Sequence, residues 1–150
     1  PANDRFCPDD PLTRGQFAAF LNRALALPAT AEDFFTDDAS SVFEDDLNEA
    51  AAAGIFRGCN PPANDRVCPD DIISRGELAA VLVRAFDLEA AQPVSFSDVG
   101  ASVFESEIGI LGGLRVTRGC NPPENTSFCP EDAVTRGQAA AFIRRVMTLP

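Results

Sequence analysis

Three arginines sit where they could hold an anion. Arg14, Arg75 and Arg136 each follow a hydroxyl residue and precede a glycine, in Thr13-Arg14-Gly15-Gln16, Ser74-Arg75-Gly76-Glu77 and Thr135-Arg136-Gly137-Gln138. A guanidinium in the first turn of a helix, beside free backbone N–H groups, suits an anionic ligand. The same position sets a cation against the helix dipole, at a cost of up to ~1 kcal/mol that something must offset. A second reading therefore stands beside the first: an ion pair with Asp10, Asp71 or Asp132 that locks loop to helix. Gly15, Gly76 and Gly137 permit a close approach by backbone or ligand. Close packing at a helix-bundle axis is the simpler reason for them.

Cysteines and carboxylates offer further chemistry. Cys59 and Cys68 enclose eight residues, as do Cys120 and Cys129, while Cys7 has no such neighbour. One pair per loop, no C-x-x-C spacing and no histidine favour disulfides over a metal centre. Paired cysteines of this kind point to an oxidising compartment, hence to secretion or surface display. The acidic loops carry Asp9-Asp10, Asp70-Asp71 and Glu131-Asp132, with Asn3, Asn64 and Asn125 nearby. Such oxygens suit calcium, although the spacing is not that of an EF-hand. Asp10, Asp71 and Asp132 are the calcium candidates, and no other cofactor is expected. Asn125-Thr126-Ser127 matches a glycosylation sequon. Paired carboxylates also serve glycoside hydrolysis. Here they recur in every copy, where a catalytic dyad would be asymmetric, so the expectation is a non-catalytic protein.

Composition narrows the choice. The 150 residues carry a formal net charge of −11, and all 12 basic residues are arginine. So acidic a chain is a poor ligand for nucleic acid. Without histidine, imidazole acid–base chemistry is excluded. No apolar run approaches the ~20 residues that span a bilayer.

The elements that position these groups follow from an internal repeat. Cys7, Cys68 and Cys129 recur at intervals of 61 residues, and the flanking sequence recurs with them. The repeats read as 1–28 (second half only), 29–89 and 90–150. The missing first half, with the partner of Cys7, would precede Pro1, so the chain reads as part of a longer protein. Each hydroxyl-Arg-Gly-Gln/Glu segment is a capping box that opens a helix of about 13–15 residues. Leu12, Ile73 and Val134 precede it in staple positions. The apolar stripes Phe17/Phe20/Leu21/Ala24/Leu25, Leu78/Val81/Leu82/Ala85/Phe86 and Ala139/Phe142/Ile143/Val146/Met147 are one-sided. Pro28, Pro93 and Pro150 are expected to stop the helices. A second helix precedes each cysteine loop, near 42–53 and 103–114. Gly109, Gly112 and Gly113 predict a weaker or shorter second copy. Little strand is expected. Three equivalent stripes predict an all-α fold with a central three-helix bundle on a pseudo-threefold axis.

These motifs together resemble the S-layer homology (SLH) domain. The matching residues are Phe35-Thr36-Asp37, Gly54-Ile55-Phe56-Arg57-Gly58, Val67-Cys68-Pro69 and Ile73-Ser74-Arg75-Gly76-Glu77-Leu78-Ala79. The resemblance covers nearly the whole chain. It departs from the family at Gly15-Gln16, Gly76-Glu77 and Gly137-Gln138, where Ala-Glu is usual, and at Phe43 and Phe104, where Trp is frequent. The linking loop is also longer and carries the cysteine pair. The resemblance implies three repeats forming one unit, with a central bundle and helical prongs. It further implies attachment of a secreted protein to cell-wall or surface polysaccharide, with Arg14, Arg75 and Arg136 in the glycan sites. Location at the cell surface or cell wall follows from it. The alternative is a structural subunit that associates with copies of itself in a surface layer, filament or appendage. Its motive is the repeat phase, since a neighbour's half-repeat could complete the chain.

Overall fold

The computed structural model describes residues 5–150, so Asn3 lies outside the described residues. The fold is all-α: α1 (Arg14–Leu25), α2 (Glu44–Ala52), α3 (Arg75–Ala85), α4 (Glu105–Gly113) and α5 (Arg136–Met147). Two disulfides, Cys59–Cys68 and Cys120–Cys129, close the intervening loops. No strand forms among the described residues. Isolated bridges join Thr13 to Ile72, Ser74 to Ala133 and Pro11 to Thr135.

The chain divides into two compact units, Thr13–Ile73 and Pro1–Leu12 with Ser74–Pro150. In the first, α1 packs on α2; in the second, α3 packs on α4 and α5. These units are out of phase with the 61-residue repeat because α1 and α3 take partners from the acidic loop that follows them in the chain, whereas α5 takes them from the first loop, at Pro8 and Asp10. The N–H groups of Arg14 and Gly15 donate to Asp71 and Pro69 carbonyls at 2.9 Å each. Those of Arg75 and Gly76 donate to Asp132 and Pro130. Those of Arg136 and Gly137 donate to Asp10 and Pro8. Helix N–H groups that would otherwise need an external acceptor are thereby satisfied by carbonyls.

All three capping boxes form, with Thr13, Ser74 and Thr135 accepting from the N–H of Gln16, Glu77 and Gln138. Each stripe turns residues inward within its own unit: Phe17, Leu21, Leu78 and Leu82 are fully buried, Ala139, Phe142, Ile143 and Val146 are buried, and Phe20, Leu25 and Phe86 are half-buried. Met147, at the end of its stripe, is exposed. The helices run 11–12 residues. Contrary to the expectation from sequence, Pro93 does not stop α3. That helix ends at Ala85, before Asp87 turns to φ 48°. Pro93 instead lies on α4, within 3.3 Å of where a Cβ on Gly109 would sit.

The expectation of a shorter α4 is also corrected, because α2 and α4 both span nine residues. The glycines make room for the 90–96 segment. A Cβ on Gly113 would fall 2.4 Å from the Gln92 carbonyl oxygen, and one on Gly112 would meet Val94 and Phe96 at 3.1 Å each. Packing of this segment offsets the helix-propensity cost of glycine.

The first unit also buries an acid. Asp38 is 0% exposed, one carboxylate oxygen accepts from the Asn48 amide at 3.2 Å, and the other has no hydrogen-bond partner. Val99 and Gly109 stand at the equivalent positions of the next repeat. Burial pushes the Asp38 pKa up, the nearness of its own backbone N–H opposes this, and Asp33, Glu44 and Asp37 add to the rise. A raised carboxyl pKa means the folded state holds its proton more tightly than the unfolded one. Stability is then highest below about pH 4 as far as this group is concerned, and falls as pH rises through the folded pKa. Asp38→Asn is expected to flatten that part of the stability–pH profile, as thermal melts between pH 4 and 7 would record. An unchanged slope would assign the pH dependence elsewhere.

Candidate functional site

The three sequence-equivalent arginines are held by carbonyls. Arg14 Nε donates to Val67 O at 2.7 Å and its Nη2 to Arg57 O at 2.9 Å. Arg75 Nε donates to Phe128 O at 2.8 Å, and Arg136 Nε to Phe6 O at 2.9 Å. Each guanidinium also lies over a ring: Arg14 over Phe56, Arg75 over Phe128, Arg136 over Phe6. Asp71, Asp132 and Asp10 contribute backbone carbonyls to the helix starts. The glycines that follow the arginines are required by neighbours within their own units. A Cβ on Gly15 would lie 2.7 Å from Phe43 Cδ2, one on Gly76 2.5 Å from Phe104 Cδ2, and one on Gly137 3.0 Å from Pro8 O.

Arg75 stands apart in its setting. It is 6% exposed, its Nη2 has no hydrogen-bond partner, and it lines a cavity of about 580 Å³. Its guanidinium carbon lies 4.7 Å from the centre of the Phe128 ring and 5.6 Å from that of Phe142. Behind it, Asp98 accepts from the N–H groups of Phe128 and Cys129 at 2.8 and 2.7 Å. With the Cys120–Cys129 bridge, Asp98 thus fixes the loop whose carbonyl orients Arg75. Burial pushes the Arg75 pKa below its ordinary value, opposed by Asp132 and Asp98. A buried cation with an unused donor is costly unless an anion completes it.

Arg115, Arg118 and Arg145 line the same cavity, with Thr117 and Gln138, and no carboxylate is among its lining residues. Arg145 is braced by its hydrogen bond to Val116 O at 3.0 Å. Four guanidinium groups around one cavity, on a chain of net charge −11, form a local field that attracts anions. Of these residues, the sequence reading singled out Arg75 alone. A signal for the others lies in comparing repeats: Arg115 stands where Gly54 stood, and Gln138 replaces Glu77. Both changes make the later copy more positive.

Arg115 also holds φ 60°, the left-handed conformation that Gly54 adopts at φ 72°. A non-glycine residue there costs about 1 kcal/mol. Arg115→Gly is therefore expected to raise stability by about 1 kcal/mol while weakening anion binding about tenfold. Chemical denaturation and titration calorimetry on the same preparation would read both changes. Equal affinity for variant and parent would remove Arg115 from the site.

The calcium candidates Asp10, Asp71 and Asp132 belong to no cluster of three potential ligands among the described residues. Such clusters occur at Asp37 with Cys59 and Cys68, and at Asp98 with Cys120 and Cys129. Their sulfurs are joined as disulfides, and their aspartates accept backbone N–H groups.

No family model matches the chain. It is 34% identical over 82 residues to an endoglucanase of Bacillus sp. (strain KSM-635), covering 55% of this chain and 8% of that protein. It is 30% identical over 145 residues to an amylopullulanase of Thermoanaerobacterium thermosulfurigenes, covering 91% of this chain and 8% of that protein. No helix among the described residues is long and apolar enough to cross a membrane. The chain thus resembles a small portion of two carbohydrate-active enzymes, and its two disulfides are consistent with secretion.

Proposed function

We propose that this chain is a non-catalytic, SLH-like module that binds an anionic polysaccharide of the cell envelope and so anchors a secreted protein to the cell surface or wall. The observation that carries this reading is the buried Arg75 guanidinium, whose Nη2 is unpartnered, on a residue that lines one cavity with three further arginines. A carboxylate or phosphate on the glycan would pair with the arginines of the cavity and so offset the charge of the buried Arg75 beside it. The similarity to portions of two enzymes named for polysaccharides supports the ligand class.

The test is titration calorimetry of the intact chain with purified cell-envelope polysaccharide, before and after chemical removal of its acidic substituents. Binding at one site per chain, weakened by salt and lost with the acidic groups, is the expected result. One site is expected despite three equivalent arginines, because Arg14 donates from Nη2 to Arg57 O where Arg75 does not reach a partner. Undiminished binding by the neutralised polymer would sink the proposal.

A further inference from the structure

We infer that the arginine cavity is one lobe of a longer groove, whose second lobe holds a neutral sugar residue next to the acidic one. This rests on the anionic-glycan reading above. A second cavity of about 400 Å³ shares Arg115, Thr117 and Arg118 with the first, so the two adjoin across these residues. Beyond them its walls change character, to Val94, Phe96, Gly112 and Asn125.

That lining suits an uncharged ring. Val94 is 45% exposed and presents an apolar surface, while Asn125 contributes an amide braced by its hydrogen bond to Pro123 O. Apolar walls with a few polar groups at one edge match the two faces of a saccharide. Gly112 shapes the floor, since a Cβ there would meet Val94 and Phe96 at 3.1 Å each.

Comparison of the repeats supports a specialised lobe. The positions equivalent to Val94, Gly112, Arg115 and Thr117 are Asp33, Ala51, Gly54 and Phe56. The positions of Phe96, Arg118 and Asn125 keep their residue types, as Phe35, Arg57 and Asn64. The four replacements remove an acid, add a base, delete a methyl group and exchange a ring for a hydroxyl. They fall on one cavity in the folded chain.

The test compares two probes, glucuronic acid alone and a disaccharide of glucuronic acid joined to N-acetylglucosamine. Nitrogen-15 NMR titration of the whole chain gives both affinities and the shifted residues. The disaccharide is expected to bind about tenfold more tightly, an increment suited to one hydrogen bond and a few apolar contacts. Val94→Ser, an uncharged change at a half-exposed position, is expected to return the disaccharide to the affinity of the monosaccharide and leave the monosaccharide unchanged. Arg75→Met is expected to weaken both. Equal affinity of the two probes for the parent chain overturns the second lobe and leaves the arginine lobe standing. Absence of binding by both overturns the two lobes together.

Discussion

Arg75→Met is expected to lower affinity for the acidic polysaccharide about 100-fold while leaving the fold intact. Two charge-assisted hydrogen bonds, at about 1.5–3 kcal/mol each, are sufficient for a loss of that size. Stability should change little, for opposing reasons. The variant leaves the Phe128 carbonyl without its Arg75 donor, at a cost of about 1 kcal/mol. It also removes a buried cation whose Nη2 has no partner, which offsets that cost. Methionine keeps an unbranched apolar stem and a sulfur that packs well against the Phe128 and Phe142 rings. Arg14→Met supplies the contrast. Arg14 donates to both Val67 and Arg57 carbonyls, so its loss should cost stability and spare binding. Thermal melts and calorimetry on the two variants test the pair. Wild-type affinity in Arg75→Met would show that the buried guanidinium has only a structural role.

The sequence alone reveals the framework of this site better than its lining. The capping boxes at Thr13, Ser74 and Thr135 and the paired cysteines are local patterns that form as read, and the stripes are buried at most but not all of their positions. Spacing within one helix or one loop suffices to specify them. The role of the glycines after the arginines was not legible in that way. Gly76 faces Phe104, 28 residues further along the chain, so the close approach expected there has a partner that no local pattern names. Pro93 was misread for the same reason, because its contact is with Gly109 of another element. The cavity arginines come from α3, the segment after α4 and α5. Only folding brings these segments together. Only Arg115 among them departs from the repeat, with Gln138 in place of Glu77 as a second change of charge beside it.

Loss of the Cys120–Cys129 bridge is expected to impair stability and binding together, whereas loss of Cys59–Cys68 should impair stability alone. Each bridge spans the same sequence separation of 9, so the chain-entropy contribution is the same, about 2–3 kcal/mol. Their neighbours differ. Cys120–Cys129 closes the loop that carries Phe128, whose carbonyl accepts from Arg75 and whose ring lies under it. Cys59–Cys68 closes the loop that carries Val67, whose carbonyl accepts from Arg14. Replacing both cysteines of one bridge by serine should therefore lower stability by about 2–3 kcal/mol in either case. Only the Cys120/Cys129 variant should also lose affinity, by about tenfold, because Arg75 then loses its fixed orientation. Asp98 limits the loss, since it still accepts from the N–H groups of residues 128 and 129. Urea denaturation and polysaccharide titration of the two double variants separate the effects. Equal affinities in the two variants would show that the loop closes the fold without aiming the arginine.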